Sequence, residues 1–126
     1  MNKKIINSQK APAPIGPYNQ AVMAGEFLYM SGQIAIIPET GELDMGSIDV
    51  ETRRVMSNLK NVLAEAGMDF SHVIKTSIFL SDMSHFAVVN EVYASYFSGD
   101  FPARETVAVK GLPRNVNVEI SMIACQ

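Results

Sequence analysis

The chain has 126 residues, 48% of them hydrophobic and only 18% charged, which suits one domain, spanning 1–126, with a core of its own. Ten basic against thirteen acidic residues leave a net charge of −3, which argues against the strongly basic face of a nucleic-acid binder. The single cysteine, Cys125, excludes an internal disulfide framework, no run reaches the ~18 apolar residues of a membrane span, and MNKKIINSQK lacks the apolar core of a secretory signal. A soluble, cytoplasmic protein is the expectation.

In chain order, KKIIN (3–7) reads as a short strand and APAPIGPY (11–18) as a proline-rich loop. NQAVMA (19–24) and FLYMSGQ (27–33) flank Gly25-Glu26, a two-residue hairpin signal, and PETGELD (38–44) is a turn. Residues 50–66 place Val55, Met56, Leu59, Val62, Leu63 and Ala66 on one helical stripe, with Asp49 as N-cap and Gly67 just past the end. HVIKTSIFL (72–80) is a buried strand. A second helix over 84–98 carries Phe86, Val89, Val92, Tyr93, Tyr96 and Phe97 on its inner stripe, capped by Ser84 and closed by Gly99. RETVAVK (104–110) and VNVEISMIA (116–124) are strands joined by the turn GLPRN, and a hairpin between them is one arrangement. The order β-β-β-α-β-α-β-β puts two helices on one face of a mixed sheet. The other face then needs a cover, and with so few charged residues that cover is self-association.

Familiar site signatures are missing: there is no GxxxxGK[ST] or GxGxxG, His72 and His85 stand too far apart to suggest a metal, and Cys125 sits at the end of the last strand. Four positions break their local pattern. Glu119 lies between Asn117 and Ser121 on the polar side of a strand whose other side is Val116, Val118, Ile120 and Met122. It is either part of a solvated face or a positioned proton acceptor. Asn90 borders the buried helical stripe, as a satisfied amide or as a site residue. Arg104, two residues behind Pro102, is a planar cation on a stiffened entry, either a surface salt bridge or a carboxylate clamp. Tyr18 leaves the rigid GPY loop, and Ser31-Gly32 ends an apolar strand where glycine marks a bulge or a close backbone approach. Pattern alone does not say whether Glu119 and Arg104 share a face, because a slip of one residue reverses the answer.

Taken together, APAPIGPYNQAV, SGQIAIIPETGEL, SNLKNVLAEAG, VIKTSIFLSDM with VNEVYASYF, FPARETVAVKGLP and VNVEISMIA resemble the RidA/YjgF family of enamine/imine deaminases over nearly the whole chain. The resemblance implies an α+β, chorismate-mutase-like fold with a mixed, mostly antiparallel sheet. It also implies a homotrimer with a central barrel-like core and sites in clefts between subunits. The implied activity is hydrolysis of 2-iminobutanoate and 2-iminopropanoate, released by dehydratases, to 2-oxo acids and ammonia, with no cofactor and no metal. By the same resemblance Arg104 would clamp the substrate carboxylate and Glu119 would activate water and carry a proton. Tyr18, Ser31, Gly32 and Asn90 would line the pocket, and Thr106 would offer backbone groups. Two positions depart from the pattern: Thr106 stands where many relatives have cysteine, and Ser121 where a second acid is common. A trimer that binds 2-oxo or amino acids without turnover is the alternative, and action on RNA a more distant one.

Overall fold

The computed structural model describes residues 2–126. Six strands, β1 (Lys3–Ile6), β2 (Ala21–Ala24), β3 (Phe27–Met30), β4 (Val73–Leu80), β5 (Ala103–Ala108) and β6 (Val118–Cys125), accompany two helices, α1 (Ile48–Glu65) and α2 (Phe86–Ala94). They form a single sheet in the order β1-β2-β3-β6-β4-β5. Every neighbouring pair is antiparallel except β4 and β5. The expected α+β architecture, with two helices against a mixed and mostly antiparallel sheet, is what the chain adopts.

The hairpin between β5 and β6 does not form. β4 lies between them, paired in parallel to β5 and antiparallel to β6. The reason is the helix that separates β4 from β5: a strand–helix–strand crossover returns the chain in the same direction, so β5 joins β4 from the outside. The turn after β5 must then cross the end of β4, and Val109 and Ser81 make the crossing hydrogen bonds, Val109 N donating to Leu80 O and Ser81 N to Asn117 O.

α1 carries the core. Val55, Met56, Leu59, Val62 and Leu63 are all buried against Leu28, Ile78, Leu80, Val118, Ile120 and Met122 of the sheet, each large aliphatic side chain contributing ~1.5–3 kcal/mol of burial. The helix starts earlier than its apolar stripe suggests. Ser47, not Asp49, is the N-cap: its Oγ accepts from Val50 N at 3.1 Å. Asp49 instead sits in the first turn and pairs with Arg53 Nε at 2.6 Å. The other end closes as expected, Gly67 at φ +74° allowing Gly67 N to reach Ala64 O and Met68 N to reach Leu63 O, a Schellman closure.

α2 is shorter than the 84–98 stripe. Ser84 does not cap it; Asp82 caps a 3-10 turn, Met83–His85, by accepting from Ser84 N at 2.8 Å. Tyr96 and Phe97 leave the helix through turns, yet still pack on the core and on the Phe70 ring. Among the described residues no helix or strand covers the opposite face of the sheet. Phe27 and Tyr29 of β3 and Val107 of β5 are exposed there.

Candidate active site

Alternation along the strands sorts the suspected residues into two groups. Arg104 pairs in register with Thr76, which is fully buried under the helices; Glu119 pairs with Phe79, three residues further along the same strand and so on the other side. Within one chain, Arg104 faces the helical layer and Glu119 the open face. The structure therefore does not bring them together in one chain.

The first group lies where α2 meets the edge strand β5. Asn90, Tyr93 and Ala94 of α2, with Phe101, Pro102 and Arg104, line a cavity of about 280 Å³. The guanidinium carbon of Arg104 lies 5.2 Å from the centroid of the Tyr93 ring and 5.7 Å from that of Phe86. Among the described residues no carboxylate is within ion-pairing distance of it. Thr106 follows on the same side of β5, and its hydroxyl oxygen is buried without a partner.

The second group lies on the open face. Tyr18, Gly32, Gln33, Arg114 and Glu119 line a smaller cavity of about 100 Å³, walled by Ile15, Ile34 and Ile36. Here Ser31-Gly32 is a break between β3 and an isolated bridge, Gln33 N donating to Ile120 O at 2.8 Å and Ile120 N to Gln33 O at 3.1 Å. A Cβ on Gly32 would stand 2.5 Å from Glu119 Oε2, so this glycine is required for close approach and not for a turn. The Ser31 hydroxyl is committed to structure, donating to Asn19 O at 2.7 Å. Burial pushes the Glu119 carboxyl above its ordinary value, by the desolvation of its charged form.

Two buried polar anchors hold this second group in place. Gln20 accepts from Ser8 N at 2.6 Å and donates to Pro12 O at 2.9 Å, which fastens the proline-rich loop that carries Tyr18. Glu51, in the first turn of α1 and 1% exposed, accepts from Asn117 N at 2.7 Å, Val118 N at 3.0 Å and Asn117 Nδ2 at 3.0 Å. It fixes the start of β6 just ahead of Glu119.

The sequence marks Tyr93 and Phe86 only as core positions of a helical stripe and does not single out Glu51 or Arg114. The sequence shows only an acid near the start of a helix with an apolar stripe, and the burial of Glu51 is a structural finding. The turn reading of GLPRN covers this segment and Asn115 (φ +58°) is a residue type that accepts left-handed backbone, but nothing in the sequence marks Arg114 (φ +55°). No grouping of three or more His, Cys, Asp or Glu suited to a metal occurs among the described residues, and none of their helices is long and apolar enough to cross a membrane.

The two groups thus place a cation beside aromatic rings at one cavity and a partly desolvated carboxylate at another. The family model described as Endoribonuclease L-PSP matches residues 8–126. The chain belongs to that family, the RidA/YjgF proteins. It is 52% identical to Protein DfrA of Myxococcus xanthus over 98% of this chain and 96% of the relative. It is 45% identical to the 2-iminobutanoate/2-iminopropanoate deaminase of Mus musculus, over 98% and 92% of the two chains. The crystal structure of E. coli TdcF with bound serine superposes with a TM-score of 0.94 at 38% identity, covering 98% of each chain.

Proposed function

We propose that this protein hydrolyses 2-iminobutanoate and 2-iminopropanoate to 2-oxobutanoate and pyruvate, in sites completed between subunits of a homotrimer in the cytoplasm. The observation that carries the reading is the Arg104 guanidinium, which lines a cavity and has no ion-pair partner among the described residues of its own chain. Relatives named for this deaminase activity, at 43–45% identity, support it. A guanidinium with free N–H donors binds a carboxylate bidentately, which suits a 2-imino acid.

Glu119 then supplies the proton chemistry. As a carboxylate it takes a proton from water as the water oxygen bonds to the carbon of the protonated imine and the C=N π bond opens onto nitrogen, giving a neutral carbinolamine. Glu119 then returns that proton to the amine nitrogen; the C–N bond breaks, ammonia leaves, and the hydroxyl proton passes back to the Glu119 carboxylate as the keto oxygen forms. A general base of this kind contributes ~10²–10⁴ in rate. The carboxylate clamp supplies orientation. Because Arg104 and Glu119 occupy opposite faces of one sheet, the reading requires Arg104 of one copy to meet Glu119 of another, and the uncovered face bearing Tyr29 and Glu119 is the surface offered for that contact. Asn90 orients substrate beside Arg104, Tyr18 and Gly32 shape the wall beside Glu119, and Thr106 contributes backbone groups.

A second reading, binding without turnover, is favoured by the serine bound to TdcF. A coupled assay decides between them. A threonine dehydratase generates the imine in situ, and 2-oxobutanoate appearance is followed with wild type, Arg104→Ala and Glu119→Gln. Acceleration by wild type and its loss in both variants is the expected result. Saturable 2-oxobutanoate binding with no acceleration would establish the binder instead.

A further inference from the structure

Arg104 is restrained by rings rather than by acids. Phe86 and Tyr93 stand seven residues apart on α2, two helical turns, so both project from the same stripe, and the Arg104 guanidinium carbon lies within 6 Å of both ring centroids. Tyr93 is itself locked. It is 3% exposed, and its hydroxyl donates to Thr76 Oγ1 at 2.9 Å. Thr76 is the β4 residue in register with Arg104 on β5, fully buried. Thr76, Tyr93 and Arg104 thus form a chain in which a rigid strand position fixes a ring and the ring fixes a cation.

The choice of restraint has a chemical consequence. A carboxylate in the place of the ring would neutralise Arg104 and consume two of its N–H donors. An aromatic face attracts the cation through its quadrupole and takes neither charge nor donors from the guanidinium edge. Burial raises the Tyr93 phenol pKa, so the ring stays neutral and does not become a competing anion.

We propose that Tyr93, anchored through its hydroxyl on Thr76, is a positioning residue that holds the Arg104 guanidinium ready for a planar carboxylate; this deepens, and rests on, the carboxylate-binding reading above. A packing role alone would make Tyr93 matter to stability. A positioning role makes it matter to carboxylate affinity.

The test measures the Kd for 2-oxobutanoate by calorimetry, steady-state imine hydrolysis and Tm, for wild type, Tyr93→Leu, Tyr93→Phe, Thr76→Val, the Thr76→Val/Tyr93→Phe pair and Arg104→Ala. Tyr93→Leu is expected to raise both Kd and KM about tenfold, the range of a partly desolvated cation–π contact, with a much smaller fall in kcat. Tyr93→Phe and Thr76→Val keep the ring but cut its anchor. Each is expected to raise Kd by the same small factor, and the pair no further, because both sever one link. A lowered Tm with unaltered Kd in Tyr93→Leu, alongside lost binding in Arg104→Ala, overturns the positioning role and leaves the clamp intact. If Tyr93→Leu does not fold, the anchor variants decide, and wild-type Kd in both overturns the proposal. A folded wild type that neither binds 2-oxobutanoate nor accelerates imine hydrolysis overturns the carboxylate reading itself, an outcome that cannot be mistaken for the other.

Discussion

Gly32 and Glu119 are in mutual contact across the end of the β3–β6 ladder, so closely that any side chain on Gly32 would overlap the Glu119 carboxylate, a Cβ standing 2.5 Å from Oε2 and 2.9 Å from Cδ. The clashing atoms are the far end of a flexible side chain. Gly32→Ala is therefore expected to fold, at a cost of ~1–3 kcal/mol of stability, while swinging Glu119 out of position. Imine hydrolysis should fall toward the Glu119→Gln level, at least tenfold. Wild-type turnover in Gly32→Ala would show that the carboxylate position does not matter to the rate.

The raised pKa of Glu119 makes a paired prediction with opposite signs for activity and stability. As a general base Glu119 must be ionised, so kcat/KM should rise with pH along a limb centred above the ordinary 4.5, and Glu119→Gln should lack that limb. For stability, the folded state holds the Glu119 proton more tightly than the unfolded state. Its favourable contribution is complete below 4.5 and is lost as pH rises through the folded value. Glu119→Gln should then be more stable than wild type at neutral pH and no different near pH 4. Chemical denaturation at the two pH values checks the sign.

Thr106 carries a buried hydroxyl oxygen with no partner, and such a group costs ~1–3 kcal/mol. Thr106→Val preserves its shape and removes the orphan. The variant is expected to gain about 1 kcal/mol, read as a rise of a few degrees in Tm. A fall in Tm would show that the hydroxyl is satisfied in solution.

Glu51 predicts the reverse. Removing the carboxylate in Glu51→Ala strands the two backbone N–H groups at Asn117 and Val118 and the Asn117 side-chain amide, for a loss of ~3–5 kcal/mol. Glu51→Gln retains an acceptor for the two backbone donors and should recover most of that stability. Equal Tm values for Ala and Gln would mean that these hydrogen bonds contribute little.

The sequence makes faces legible and neighbours illegible. Alternation in VNVEISMIA correctly assigns Val118, Ile120 and Met122 to the buried side and Glu119 and Ser121 to the other, because a period of two is intrinsic to an extended chain. Which strand lies beside it is a property of the crossover through α2, and no residue of β5 or β6 encodes that β4 comes between them. The same limit explains the helix ends. Asp49 and Ser84 are good capping residues, but Ser47 and Asp82 are the last extended residues before α1 and before the 3-10 turn that leads into α2. Local pattern singles out Tyr18, Ser31, Gly32, Asn90, Arg104 and Glu119 as candidates, and the resemblance to relatives adds Thr106 and a role for each. It did not indicate that one copy holds Arg104 and Glu119 on opposite sides of its sheet, and Tyr93 was hidden inside an ordinary apolar stripe.

That two-sided sheet has a genetic consequence. A chain damaged on one face still carries an intact other face, so two inactive proteins can lend each other what they lack. Arg104→Ala and Glu119→Gln, each silent alone, should regain activity when unfolded and refolded together. Under the trimeric reading proposed above, each cleft in a randomly mixed ring of three would take one residue from each of two neighbours, so about a quarter of the clefts would be whole. Two defective alleles expressed in one cell would, by the same arithmetic, support one another rather than compound the loss.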